Sequence, residues 1–127
     1  MYMEVVEKMG EESNLTSLSQ EIPIKEIEWS EDSPLPSLAV RKRVFSIEGT
    51  EVRVYYVELP HLHFYLVTRY TDGIPREFEE LWGMGYTDIA ALSNAADNWD
   101  EFERGSPDPR PNIFEAILRK FYGGEYW

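Results

Sequence analysis

The sequence contains no cysteine. Disulfide scaffolds, thiolate zinc sites, iron–sulfur clusters and cysteine nucleophiles are therefore excluded. Only two histidines are present, His61 and His63. Base is scarce: 12 Lys and Arg stand against 24 Asp and Glu, a formal charge of −12. Phosphate contacts need a basic surface, so direct nucleic-acid binding is not expected. No stretch reaches the ~18 apolar residues that a membrane-crossing helix requires. Met1 to Glu7 has neither a basic start nor a long apolar run and does not read as a secretory signal. These absences together predict a cytoplasmic protein without membrane contact. There is also no Gly-rich phosphate loop with Lys, no dinucleotide fingerprint and no Gly-x-Ser-x-Gly elbow. Gly83-Met84-Gly85 is too short to count as one. No cofactor, no metal and no catalytic set is expected.

What is present suits one globular domain spanning residues 1–127. Hydrophobic residues make up 43% and aromatics 14%, enough for a packed core despite the high charge. Charge is unevenly placed. Residues 1–32 hold nine acids and two bases, and residues 71–127 hold twelve acids and five bases. Residues 33–70 reverse the sign, with three acids and five bases. Residues 1–20 read as a loosely ordered N-terminal segment that orders by docking onto the rest.

Strand composition begins at Ile22 and runs to Trp29. Ile22 and Ile24 share one face, whereas Ile27 and Trp29 share the other, and that switch of parity predicts a bulge. Pro23 confines the segment to a sheet edge. Pro34 and Pro36 mark a connector. Val44 to Ile47, Glu51 to Glu58 and Leu62 to Tyr70 read as three further strands, with a tight turn at Glu48-Gly49. A three-residue loop, Leu59-Pro60-His61, would pair Glu58 with Leu62, Tyr56 with Phe64 and Val54 with Leu66. That register keeps the apolar sets on one face, which a one-residue slip would turn outward.

The remainder reads as helical. Pro75 to Trp82 starts with Pro at a first helical position, and Gly83 and Gly85 break it. Asp88 to Glu103 carries Ile89, Leu92, Ala96 and Trp99 on one stripe, with Thr87 as N-cap. Asn112 and Glu115 resemble a capping box before a helix from Ile113 to Tyr122, which Gly123-Gly124 ends. The predicted class is α+β. Its antiparallel sheet has three to five strands, mainly within residues 22–70, and two or three C-terminal helices pack on one face.

Three constellations are candidates for function. His61 and His63, at i and i+2, could share a metal if both lay on one strand, but the preferred loop takes His61 out of line. Arg53, Tyr55, His63, Tyr65 and Arg69 are expected together on the uncovered sheet face, where Arg and aromatic residues commonly anchor interfaces. Glu77, Glu79, Glu80, Asp97, Asp100, Glu101 and Glu103 form an acid supply expected on the helices. Glu77 with Glu80, and Asp97 with Asp100, fall along one helix face, where they are solvated or imitate phosphate spacing. Trp82 and Trp99 fit the core, and Tyr126-Trp127 is expected to pack back.

Leu81-Trp82-Gly83-Met84-Gly85-Tyr86, followed by Ala90-Ala91-Leu92 and by Ile113 to Leu118, resembles a ubiquitin-associated three-helix domain. The 105–111 loop is an insertion in that pattern. Gly85 to Ala90 resembles the start of a helix-turn-helix unit, although acids follow where a reading helix needs bases.

The function expected on these grounds is a small, acidic, non-catalytic protein-binding module of the inhibitor, immunity or accessory type. Its partner would be a protein with a basic surface, met by Arg53, Tyr55, His63, Tyr65, Arg69, Asp97, Asp100 and Glu101. Self-association is open. The competing readings are an enzyme with a site centred on His61 and His63, and a structural subunit of a larger assembly, a virus or mobile element being one source of such subunits.

Overall fold

The computed structural model describes residues 22–31 and 39–123. The expectations for residues 1–20, for the Pro34–Pro36 connector and for Tyr126-Trp127 lie outside the described residues. Five strands form one antiparallel meander in the order β1-β2-β3-β4-β5. They are β1 (Lys25–Ser30), β2 (Ala39–Ile47), β3 (Thr50–Leu59), β4 (Leu62–Thr71) and β5 (Glu80–Gly85). Two helices follow, α1 (Asp88–Glu103) and α2 (Ile113–Tyr122). The class is α+β, with the helices at the C-terminal side.

β1 is an edge strand, and its bulge falls between Ile27 and Ser30, slightly later than the parity switch suggests. Glu48 and Gly49 carry φ of 29° and 81°. Positive φ at both central residues is the two-residue hairpin geometry whose twist suits the flanking strands.

The β3–β4 hairpin departs from the expected register. Leu59 pairs with Leu62 across a two-residue Pro60-His61 turn, and Tyr56 pairs with Tyr65 and Val54 with Val67. The expected register assumed one buried face. Both faces are buried at the sheet centre, however: Val52, Arg53, Val54 and Tyr55 are consecutive and all buried. Parity then cannot distinguish one register from the next.

Residues 75–82 are the second correction. Arg76–Phe78 forms a single 3₁₀ turn, and the chain then enters β5. Glu77 and Glu80 therefore do not share a helix face. The resemblance to a three-helix domain fails at the same place, because its first helix is a strand. The helix-turn-helix likeness fails too, since α1 runs unbroken from Asp88 to Glu103 and the long 104–112 loop, not a tight turn, separates it from α2. Gly83 and Gly85 do not break a helix. They let α1 lie directly on β5, for a Cβ on Gly83 would sit 2.4 Å from the Ala91 carbonyl oxygen and 2.6 Å from the Ala95 nitrogen. On Gly85 it would sit 2.7 Å from the Ala91 nitrogen.

The helices match their predicted stripes and caps. Thr87 Oγ1 accepts from the Ala90 N–H at 3.0 Å, and Asn112 Oδ1 accepts from the Glu115 N–H at 3.1 Å. Asn112 Nδ2 also donates to the Ala96 carbonyl and to Asp100, tying α2 to α1. Gly123 ends α2 in the left-handed region. α1 covers the β4–β5 side. α2 covers β1 and β2, with Phe121 4.9 Å from Phe45 and Lys120 Nζ donating to the Ile24 carbonyl. Leu92, Trp99, Phe114, Ile117 and Leu118 meet Phe45, Val52, Val54 and Val67 in one core. Each such side chain contributes about 2 kcal/mol on burial. Among the described residues no helix is long and apolar enough to cross a membrane.

Candidate functional site

The register divides the five residues expected on one open face. Arg53 and Tyr55 point to the face away from the helices, since they pair with Thr68 and Leu66. His63, Tyr65 and Arg69 lie on the opposite face, in line with Tyr56 and Val52. Burial separates them further. Arg53 is 8% exposed and Tyr55 0%, so neither meets a partner directly. Tyr65 is half-buried beside Tyr56, at 5.1 Å between rings. His63 is exposed, 3.8 Å from Glu58 and edge-on to Tyr56. His61 occupies the Pro60-His61 turn. Among the described residues, no three His, Asp or Glu side chains gather as a metal-binding group.

Arg53 and Tyr55 instead belong to a closed polar ring. Arg53 pairs with Glu51 at 3.0 Å and donates to the Tyr55 hydroxyl at 3.2 Å. That hydroxyl donates to Glu79 Oε2 at 2.8 Å, and the Thr68 hydroxyl donates to the same oxygen. Arg76 closes the ring, 3.6 Å from Glu79 and 3.4 Å from Glu51, with its guanidinium stacked on Tyr70. Burial pushes the Tyr55 pKa up to about 12, and its bond to Glu79 adds to the rise. The phenol is therefore a donor and not a base near neutrality. Burial opposes the Arg53 charge, but the hydrogen bond to Tyr55 and the Glu51 carboxylate raise its pKa overall. The ring holds residues 76–79 against the sheet. The sequence suggests Glu79 only as one of the acids on a helix, and nothing in it points to Arg76 or to their contact with the sheet, because their segment reads as helix.

Beyond the ring, the chain turns apolar side chains outward. Ile74, Phe78, Leu81, Met84 and Tyr86 are all at least 40% exposed. Leu81 and Met84 project from the face away from the helices, paired with Thr68 and Leu66. A bulge opposite Val67 and Thr68 leaves Trp82 unpaired. Trp82 thus turns into the core against Trp99, at 5.0 Å, while Leu81 stays outside.

No family model, no curated protein and no solved structure matches this chain.

Of the acids of α1, Asp97 lies beside the strip. Asp97, Asp100 and Glu101 are all exposed, as expected from their periodicity. Asp97 borders a shallow groove with Leu81 and Met84, and Glu77 and Glu80 flank the strip from its own chain. Asp100 is held by Asn112, and Glu101 by Arg104 at 3.0 Å. Two asparagines lie between the acids and the strand. Asn94 Nδ2 donates to the Met84 carbonyl at 2.6 Å, and Asn98 Nδ2 donates to the Trp82 carbonyl at 2.7 Å. They occupy the acceptors along the β5 edge, where a further strand would otherwise pair.

Proposed function

We propose that this chain is a small, acidic, non-catalytic protein-binding module that acts by covering a basic surface on a partner protein. The docking surface is the strip of residues 74–86. One observation carries this reading. Of the eight large hydrophobic side chains exposed among the described residues, five fall within that one stretch. Scattered apolar residues are ordinary on a surface, but a group of them with a polar rim has the composition of an interface core.

The rim supplies the sign of the partner. Glu77, Glu80 and Asp97 border the strip on a chain of net charge −12. Such a rim speeds encounter with a basic surface more than it deepens the final affinity. Because Asn94 and Asn98 occupy the edge carbonyls, the partner meets side chains and does not extend the sheet. An inhibitor or immunity-type protein works by this kind of steric cover. Of the residues expected to meet the partner, Asp97 remains in this role, whereas Asp100 is tied to Asn112 and Glu101 to Arg104, away from the strip. Arg53 and Tyr55 support the strip from beneath.

The test is affinity capture from the native extract at low and moderate salt, with the wild-type chain and with L81K/M84K. The captured protein is then purified and titrated directly. A basic partner whose affinity falls roughly tenfold or more in the variant, and falls again with salt, supports the reading. Unchanged melting of L81K/M84K shows that the loss is not unfolding. Capture indifferent to both the variant and salt overturns it, as does association of the chain with nothing but itself.

A further inference from the structure

We propose that a second site, on the helix-covered side of the sheet, binds a small organic monocarboxylate with an apolar body. The site is a cleft of about 330 Å³ where the loop between α1 and α2 meets the β2–β3 turn. Its floor is aromatic, formed by Trp99 and Phe114. Ile22, Ile47 and Ile113 wall it. Pockets of this size lie at the lower end of those that hold small molecules, and their few polar groups set the orientation of the ligand.

Here the polar groups are two guanidiniums. Arg69 reaches the cleft from β4, with its Cζ 5.2 Å from the centre of the Trp99 ring. Its side chain is 19% exposed, and its ion pair with Glu80 is 3.6 Å long, beyond hydrogen-bond reach. A guanidinium carries five N–H donors, and those of Arg69 are left to the Glu80 ion pair and to solvent, so they are available to an entering acceptor. Among the described residues, no acceptor is hydrogen-bonded to the Arg69 guanidinium. A carboxylate entering the cleft would meet it side-on with two parallel bonds.

Arg110 supplies a second, fixed guanidinium, its charge balanced by Glu103. Glu103 accepts from its Nε, its Nη2 and its backbone N–H, the last two at 2.9 Å. The same bonds hold the Glu103 carboxyl below its ordinary range. The Arg110 Cζ lies 4.6 Å from the Trp99 ring centre. Both guanidiniums are thus set on one indole before any ligand arrives, which lowers the ordering cost of binding. Glu80 and Glu103 already face the two guanidiniums and Glu48 lies on the rim, so the cleft disfavours a dianion. The ligand class that satisfies the cleft is therefore a singly charged carboxylate with an aryl or branched alkyl body.

The experiment is a titration of the full ¹⁵N-labelled chain, followed by amide, indole and guanidinium N–H correlations. The probes are phenylbutyrate, its neutral amide and inorganic phosphate. Saturable shifts of the Trp99 Nε1–H and the Arg69 Nε–H with phenylbutyrate, and none with the amide, are expected. R69Q should weaken binding by roughly tenfold, the scale of a lost charged hydrogen bond, and the more exposed R110Q by less, because Glu103 already takes its hydrogen bonds. The comparison of acid with amide needs no variant, so it stands even if R69Q folds poorly. The proposal is overturned if the amide binds as well as the acid, if phosphate competes equally, if the shifts map to another surface, or if nothing saturates.

Discussion

The Tyr55 hydroxyl donates to Glu79 Oε2 across 2.8 Å, and that bond joins the centre of the sheet to the segment that leads into the exposed strip. Residues 76–78 have no buried side chains of their own in their short turn. Their position depends on this ring of polar contacts rather than on apolar burial. Glu79 and Arg76 are thus what carries β3's order outward to Leu81 and Met84.

Replacing Tyr55 with Phe should cost about 1–2 kcal/mol near neutrality, the usual cost of leaving a buried partner short of a hydrogen bond. The difference should depend on pH. Tyr55 has a folded pKa of about 12, raised chiefly by burial from an ordinary 10. Below pH 10 both states keep the proton and its stabilisation is complete. As pH rises from 10 through 12, the unfolded chain releases a proton that the folded chain retains. Stability then falls by on the order of 2 kcal/mol on this account. Urea unfolding across this range should show the gap between wild type and Y55F narrowing. Parallel profiles would contradict a buried, protonated Tyr55.

Gly83→Ala should cost about 3 kcal/mol, because the new Cβ meets backbone atoms of α1 that cannot rotate away. Gly73 provides the comparison. It has a φ of 95°, and nothing lies within 4 Å of where an added methyl would sit. Gly73→Ala therefore costs only backbone strain, about 1 kcal/mol. Equal losses in denaturant unfolding would mean that α1 does not seat on β5 as closely as these distances require.

Asn94→Ala with Asn98→Ala should expose the carbonyls of Met84 and Trp82 on the β5 edge. With Leu81 and Met84 already exposed beside them, the edge becomes a template for pairing. Sedimentation velocity should show the average mass of the double variant rising with concentration more steeply than that of the wild type. Identical behaviour would mean that the asparagines do not guard the edge.

Much of the fold was legible because local chemistry dictated it. Glu48-Gly49, Thr87, Asn112 and Gly123 each mark an element boundary through their own backbone or cap preference. Those preferences act within three or four residues, so tertiary contacts did not alter them. The stripe Leu92, Ala96 and Trp99 was equally clear, since α1 buries one face and exposes the other.

Where two-sided burial or contact between distant segments decided the outcome, the sequence was silent. Arg53, Tyr55, His63, Tyr65 and Arg69 have the parity of a shared face only in one register, and a centre buried on both sides removed the rule that selects it. Residues 80–85 have helix-compatible composition up to Trp82. They became a strand because β4 offered an edge to pair with, and because Gly83 and Gly85 admitted α1 above them. The sequence by itself determined the acidity, the element ends marked by Glu48-Gly49, Thr87, Asn112 and Gly123, and the amphipathic helices α1 and α2. Only the tertiary structure decided which polar residues were buried, where the apolar strip emerged, and that Arg69 and Arg110 share one indole, because each of these depends on contacts between residues far apart in the chain.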